Sequence, residues 1–574
     1  MCNNMDIQQY IDAHRARFMD EWASLIRIPS VSCQAEHQPD MIRCAERWRE
    51  LLLEAGCQHA DLLGYYAPVT GNPSPVTRNP SPVTGNPSPV TGNPSPVTVL
   101  GNPFVFAEYK CPVTGNPSPV TGNPSPVTGN PSPVTGNPSP LTGNPSPVTG
   151  NPSPVTGNPS PLTGNPSPVT GNPSPVTGNP SPVTGNPSPV TGNPSPLTVL
   201  VYSHYDVMPV EPLELWHSDP WEPTIRDGRL YARGADDDKG QAMIQVKAFE
   251  YLVRTGQMRC NVKFIFEGEE EIGSPSLEAF LEDHRELLKA DIILVSDTSM
   301  IGKETPSITT GLRGLAYWQI EVDGPNRDLH SGHFGGAVKN PLNALCEMLA
   351  KVVDDHGRIT IPHFYDDVLP IPDAERAMIA QIPFDRQAYN QAIGVSDVFG
   401  EEGYSTLERN SCRPSFDICG IWGGYTGEGS KTVLPSKAFA KVSCRLVANQ
   451  DHERISQAFI DYMQTLAPKG VRVTVTPMHG GQGYVCPIDI PAYRAAEHGF
   501  EVAFGKRPLA ARRGGSIPII AAFEAILGCK TILMGFGLEQ NAIHSPNESM
   551  DLDVWQRGII AVTEFYQEYA KNYK

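Results

Sequence analysis

The sequence predicts an α/β protein: a mostly parallel sheet with helices on both faces, interrupted by a disordered Pro/Gly-rich repeat insertion. Three observations carry that expectation. Short runs such as Val199-Leu200-Val201-Tyr202 and Ile292-Ile293-Leu294-Val295 are apolar at every position, the pattern of strands buried on both faces. They alternate with amphipathic segments long enough for helices, and strands separated by helices build parallel sheets. Most of the 58 Pro in the 574 residues, with part of the 52 Gly, are concentrated in one recurring heptapeptide rather than spread through the chain.

Taken in order, Ile7 to Arg27 reads as an amphipathic helix and Met41 to Ala55 as a second. From Pro68 to Thr98 (68–98), and again from Pro112 to Thr198 (112–198), Val-Thr-Gly-Asn-Pro-Ser-Pro recurs; Leu replaces Val at Leu141, Leu162 and Leu197, and Arg78 replaces a Gly. Two prolines and a glycine per unit exclude a helix or a central strand. One aliphatic side chain per unit buries too little area to offset the entropy of ordering, so turns and extended polyproline-like segments are expected. A tolerated expansion of the gene explains such a tract more simply than a selected binding role. Between the tracts, Gly101 to Lys110 carries Phe104-Val105-Phe106 and reads as an edge strand of the folded part. Loop closure entropy grows only logarithmically with length, so a fold survives insertions placed in its loops. Beyond the tracts come a strand at Val199–Tyr202, a helix at Gly240–Thr255, and strands at Val262–Phe266 and Asp291–Val295. In sheets of this kind ligands gather at the carboxyl ends of the strands.

Composition narrows the function classes. A net charge of -18 argues against nucleic acid, whose phosphates demand clustered Lys and Arg, and gives no attraction to an anionic membrane. No apolar run reaches the roughly 18 to 20 residues of a membrane span. Met1 to Ala13 lacks the apolar centre of a signal peptide. Twelve scattered cysteines without a Cys-x-x-Cys pair read as reduced thiols, so a cytoplasmic location is expected.

Acids and histidines cluster where strands should end. His204 and Asp206 in Ser203-His204-Tyr205-Asp206 share one face of an extended chain, and a carboxylate there can fix the imidazole tautomer that a metal needs. A turn Asp beside a buried His is the plainer alternative. Asp236-Asp237-Asp238 stand directly before a helix; three adjacent carboxylates repel unless cations or the helix end compensate, and capping explains one or two of them. In Glu267-Gly268-Glu269-Glu270-Glu271, one acid can ligate metal while its neighbour moves protons, a solvated acidic loop being the alternative. Asp297 closes the aliphatic strand, and His544 lies in Ile543-His544-Ser545-Pro546-Asn547-Glu548. Oxygen and imidazole donors without cysteine suit zinc, manganese or cobalt in a paired site.

These motifs resemble the di-zinc metallopeptidase family of cytosolic non-specific dipeptidase, carnosinase, aminoacylase and succinyl-diaminopimelate desuccinylase, most closely its dipeptidase and carnosinase branch. The resemblance covers the chain outside the repeats. It implies a zinc-peptidase-like catalytic domain over 1–308 and 487–574, and a smaller α+β lid and dimerisation domain over 309–486. It further implies two divalent metal ions, most simply Zn2+ with Mn2+ or Co2+ compatible. His204 and Asp297 would hold one, Glu271 and His544 the other, with Asp237 bridging. Glu270 would be the general base and Asp206 would orient His204. In Asp328-Leu329-His330-Ser331-Gly332, His330 would reach a second subunit's site and stabilise the oxyanion, making the protein a homodimer. Arg445 would bind the substrate's carboxylate, with Thr432 and Ser516 as further polar contacts.

The expected reaction is metal-dependent hydrolysis of a dipeptide amide bond. Two alternatives stand beside it: removal of an acyl group from N-acyl amino acids on the same fold, and a repeat-bearing binding protein with a vestigial enzyme domain. The family pattern has no proline-rich tract before its first metal strand, so a shift of the strand at Val199 would displace His204.

Overall fold

The computed structural model describes residues 5–64, 66–68, 97–99, 101–112, 196–515 and 517–571. The disorder expected of the repeat tracts concerns residues almost entirely outside that set.

Helix α1 (Ile7–Ile26) starts where the Asp6 carboxylate accepts the Gln9 amide at 2.8 Å, satisfying one of the orphan donors of its first turn. Helix α2 (Gln38–Ala55) has a proline in its first turn and stops at Gly56, whose φ of +120° suits only glycine. Each buries one stripe: Tyr10, Phe18 and Trp22 from α1, Met41, Trp48 and Leu52 from α2.

The chain next lays down β1 (His59–Leu63), β2 (Phe104–Tyr109), β3 (Thr198–His204), α3 (Lys239–Arg254), β4 (Asn261–Glu267), β5 (Ile292–Val295) and β6 (Ser307–Leu312). It then leaves to build a second sheet from β7 (Gly314–Asp323), β8 (Ser415–Gly423), β9 (Lys437–Leu446) and β10 (Arg472–Gly481), with α4 (Pro341–Leu349) and α5 (His452–Leu466). It returns through β11 (Tyr484–Val485), α6 (Pro491–Phe504), β12 (Leu509–Arg513) and β13 (Thr531–Leu533), and ends in α7 (Leu552–Lys571). The large sheet runs β1-β2-β4-β3-β5-β13-β6-β11, with β12 beside β6. Its centre, β4-β3-β5-β13, is parallel throughout, while β1, β2 and β11 close the margins antiparallel. This is the expected α/β architecture with a mostly parallel central sheet. Helices α1 and α7 pack through Trp22 stacked on Trp555, with ring centroids 5.1 Å apart.

One expectation is corrected. The strand between the repeat tracts is not an edge: β2 lies between β1 and β4, and β1 is the edge. Residues Phe104 to Ala107 are all buried, as two flanking strands require, whereas β1 is half-exposed and its His-Ala-Asp-Leu-Leu sequence carries no continuous apolar signal.

The insertion leaves β3 intact. Thr198 to His204 pairs residue for residue with Asn261 to Glu267, and Val199 to Tyr202 pairs with Ile292 to Val295. Both flanks of the second tract are tied to one residue. The Cys111 amide donates to Asn261 Oδ1 at 2.9 Å, Asn261 Nδ2 donates to the Pro196 carbonyl at 3.1 Å, and the Asn261 amide donates to the Leu197 carbonyl at 2.8 Å. Around the first tract, Tyr66–Pro68 pairs antiparallel with Val97–Val99. His204 therefore keeps its place at the carboxyl end of β3.

The second sheet has its own core. Alternate residues of β7 (Ala316, Trp318, Ile320 and Val322) are buried against Leu345 and Met348 of α4 and Phe459 and Met463 of α5, the period-2 pattern of a sheet covered on one face. No helix among the described residues is long and apolar enough to cross a membrane.

Candidate active site

The site begins at the floor, where β3 ends. His204 and Asp206 are both fully buried, and His204 Nδ1 lies 3.1 Å from the Asp206 carbonyl and 3.3 Å from its Oδ1. Two acceptors at Nδ1 hold a ring proton there, so Nε2 is the nitrogen that would turn to a cation on losing its own proton. Nε2 faces Asp237 Oδ1 at 3.1 Å and Asp297 Oδ2 at 3.8 Å. The same Asp206 carboxylate accepts the amides of Glu270 at 3.2 Å and Glu271 at 3.1 Å. Asp206 thus fastens the acidic turn after β4 as well as the imidazole. Sequence spacing pointed to the second role and carried no signal for the first.

The three consecutive aspartates face different groups. Asp236 accepts from Asn541 Nδ2 at 2.7 Å, and Asp238 accepts from the Ser203 hydroxyl and the His204 amide. Asp238 occupies the N-cap of α3 yet makes no capping hydrogen bond, so helix capping does not explain the triplet. Asp237 stands between the two histidines, its other oxygen, Oδ2, 2.9 Å from His544 Nε2. Gly240 lets the loop press onto the helix start, since a Cβ there would lie 1.9 Å from the Ala235 carbonyl. Glu271 Oε2 completes the outer group at 3.1 Å from His544 Nε2. Two triads result, His204-Asp237-Asp297 and Asp237-Glu271-His544, each with ligand atoms within 4.8 Å of one another and sharing Asp237.

Charge is out of balance here. Asp206, Asp237, Asp238, Asp297, Glu270 and Glu271 stand around two imidazoles. Burial pushes Asp297 and Glu270 above the usual carboxylate range, and burial with the neighbouring Asp237 charge pushes Glu271 to about 7. Hydrogen bonds donated to Asp237 and Glu271 push His544, half-exposed, to about 10. Asp237 alone is driven down: burial acts upward, but hydrogen bonds from His204 and His544 outweigh it. Such a donor set, hard oxygens with imidazole and an excess of buried negative charge, fits a pair of divalent cations.

Beyond this cluster the structure separates the remaining candidates. His330 is exposed, with Nδ1 accepting the Gly332 amide and the ring stacked on His333 at 4.6 Å. Thr432 is exposed beside it, its carbonyl accepting the Ser331 amide. Arg445 is half-buried on β9, paired in register with Leu315 and Ser415. Burial, and after it the Arg445 charge, lowers Arg313 to about 10, so the two cations are neighbours. Ser516 lies outside the described residues. Sequence reading passed over Glu267 as a site residue. It is buried at the end of β4, accepts from the Tyr202 and Ser274 hydroxyls, and is pushed by burial to about 8.

The sequence pattern of Peptidase family M20/M25/M40 matches residues 200–568. The chain belongs to this family. It is accordingly a metallopeptidase, with the chemistry of a hydrolase. Among its relatives are the Cys-Gly metallodipeptidase dug1 of Schizosaccharomyces pombe, 33% identical over 65% of this chain and 80% of that protein, and the human Beta-Ala-His dipeptidase, 31% identical over 65% and 75%. The fold is that of the Saccharomyces cerevisiae dipeptidase Dug1p, at a TM-score of 0.68, 23% identity and full coverage of both chains. Human carnosine dipeptidase 1 shares it at a TM-score of 0.66 and 24% identity, with 98% of each chain covered.

Cation binding by this M20 peptidase competes with protons. In the metal-free protein at neutral pH His544, at about 10, holds a proton and Glu271, at about 7, is half-protonated, and each must be deprotonated to act as a ligand. Cation affinity is therefore expected to rise between pH 6 and pH 8, with about one proton or more released per protein at pH 7. Calorimetric titration in two buffers of different ionisation enthalpy counts those protons; uptake without release contradicts the ligand set.

Proposed function

We propose that this M20 peptidase hydrolyses the amide bond of dipeptides with two divalent cations, Zn2+ foremost and Mn2+ or Co2+ as substitutes. One observation carries the reading: the two oxygens of Asp237 face different histidines, one in each triad. In it, His204 and Asp297 hold one ion, Glu271 and His544 the other, and Asp237 bridges. Bound there, the ions supply Lewis-acid polarisation of the scissile carbonyl and lower the pKa of water from 15.7 to roughly 7. Glu270, beside Glu271 on the turn fastened by Asp206, takes the proton from the attacking water and returns it to the departing amine. Arg445 receives the substrate's carboxylate on its planar, permanently charged fork, and Thr432 and Ser516 add polar contacts.

His330 serves the site of a second subunit by donating to the oxyanion. A homodimer formed through the lid region 309–486 is part of this reading. Its support is the exposed edge strand β8, where Ile418, Ile421 and Trp422 are 48%, 44% and 42% exposed. A cytoplasmic location is supported by buried free thiols such as Cys44, Cys260 and Cys444.

A substrate panel decides the matter. Free dipeptides, including Cys-Gly and β-Ala-His, are expected to be cleaved, with activity lost to a chelator and restored by Zn2+, Mn2+ or Co2+. Cleavage confined to N-acyl amino acids makes the chain a deacylase instead. Chelator-resistant activity, or none on any member with two ions bound, rejects the proposal.

A further inference from the structure

Four residues past His544, Glu548 is fully buried, and its carboxylate accepts four N–H groups. Oε1 takes the amides of Asp236 at 2.9 Å and Asp237 at 3.0 Å; Oε2 takes the Gly234 amide at 3.0 Å and Arg233 Nη1 at 2.7 Å. Arg233, equally buried, donates its other terminal nitrogen to the Pro209 carbonyl at 2.9 Å and lies over Trp216. One ion pair therefore joins the segment following His204 and Asp206, the loop carrying Asp237 and the loop carrying His544.

The His544 loop needs such a fastening. Ala542, His544 and Asn547 have φ of 54°, 60° and 66°, in the left-handed region where a Cβ is disfavoured. A loop with three such residues holds this shape only when its surroundings impose it. The fixed points flank His544 on both sides. Asn541 donates to Asp236 at 2.7 Å, and Asn547 accepts the His217 amide and donates to the Leu215 carbonyl, each at 2.8 Å. Glu548 is the only one of these that grips the backbone of Asp237 itself.

We propose that Glu548, with Arg233, is a positioning residue that sets the spacing between Asp237 and His544 and thereby builds the outer cation group Asp237-Glu271-His544. The proposal rests on the two-cation reading above. It does not place Glu548 in contact with a cation or substrate. Glu548→Gln tests it sharply, because one amide oxygen cannot replace two carboxylate oxygens and the amide nitrogen meets N–H donors.

The experiment is a Co2+ titration of the metal-stripped full chain, followed by visible absorption and calorimetry. Wild type is expected to bind two Co2+. In Glu548→Gln one Co2+ binds as in wild type and the other roughly 10- to 100-fold more weakly, with the corresponding bands shifted. Two Co2+ bound with wild-type affinity and spectrum overturn the proposal. Equal weakening of both steps also overturns it, since that marks a general structural role. Wild type binding fewer than two Co2+ overturns the two-cation reading itself. Should Glu548→Gln fail to fold by far-ultraviolet circular dichroism, Arg233→Lys decides. It keeps a charge opposite Glu548 but loses the fork spanning Glu548 and Pro209, and the same selective weakening is expected; wild-type affinity at both steps rejects the proposal.

Discussion

Replacing Glu270 by glutamine is expected to lower kcat by roughly 10²- to 10⁴-fold, the range by which a positioned general base accelerates proton transfer. The substitution preserves the volume and the backbone hydrogen bond to Asp206, so the turn bearing Glu271 keeps its place. Glu270 belongs to neither triad, so both cations and KM are expected to be nearly unchanged. The pH profile adds a second readout. Burial raises the Glu270 carboxyl above its ordinary range, so in wild type kcat/KM falls on the acid side as that group protonates. In Glu270→Gln, with cations held at saturating concentration across the pH range, that acid limb disappears. Stopped-flow measurement of a dipeptide substrate, with metal content measured on the same preparation, checks both. Activity retained at the wild-type level removes Glu270 from the role of base.

Asp237→Ala strikes both ions at once. Every other member belongs to one triad, while Asp237 belongs to both, so on the two-cation reading its loss is expected to release both cations rather than one. A loss of about 5 kcal/mol in transition-state stabilisation, in line with the several kcal/mol that Lewis-acid catalysis supplies, corresponds to roughly four orders of magnitude in kcat/KM. Asp297→Ala and His544→Ala provide the contrast, since each is expected to release a single ion. Equilibrium dialysis with elemental analysis gives the stoichiometries. An Asp237→Ala protein that still carries two ions rules out the bridging role.

How much of this was legible without coordinates depends on the reach of each interaction. The parallel strands at Val199 and Ile292 announced themselves because burial on both faces removes every polar residue. His204 and Asp206 were readable as a pair because an extended chain places i and i+2 on one side. The full proposed ligand set came from the motifs' resemblance to a known family, since no local periodicity links residue 204 to 544. The edge position of β1 was missed because a half-exposed strand of mixed character leaves no pattern. Asp206's hold on the Glu270 and Glu271 amides, and the grip of Glu548 on Gly234 to Asp237, were invisible for another reason. Backbone amides look the same in every sequence, and only the folded chain decides which carboxylate meets them.

The anchoring of both flanks of the second tract at Asn261 bears on how this gene can change. Asn261 opens β4, whereas the candidate site assembles where β3 and β4 finish. The hydrogen bonds to Asn261 hold Cys111 and Pro196 in place without reference to the number of heptapeptides between them. A change of copy number in that tract is therefore expected to leave the geometry of the candidate site, and with it kcat/KM, unchanged.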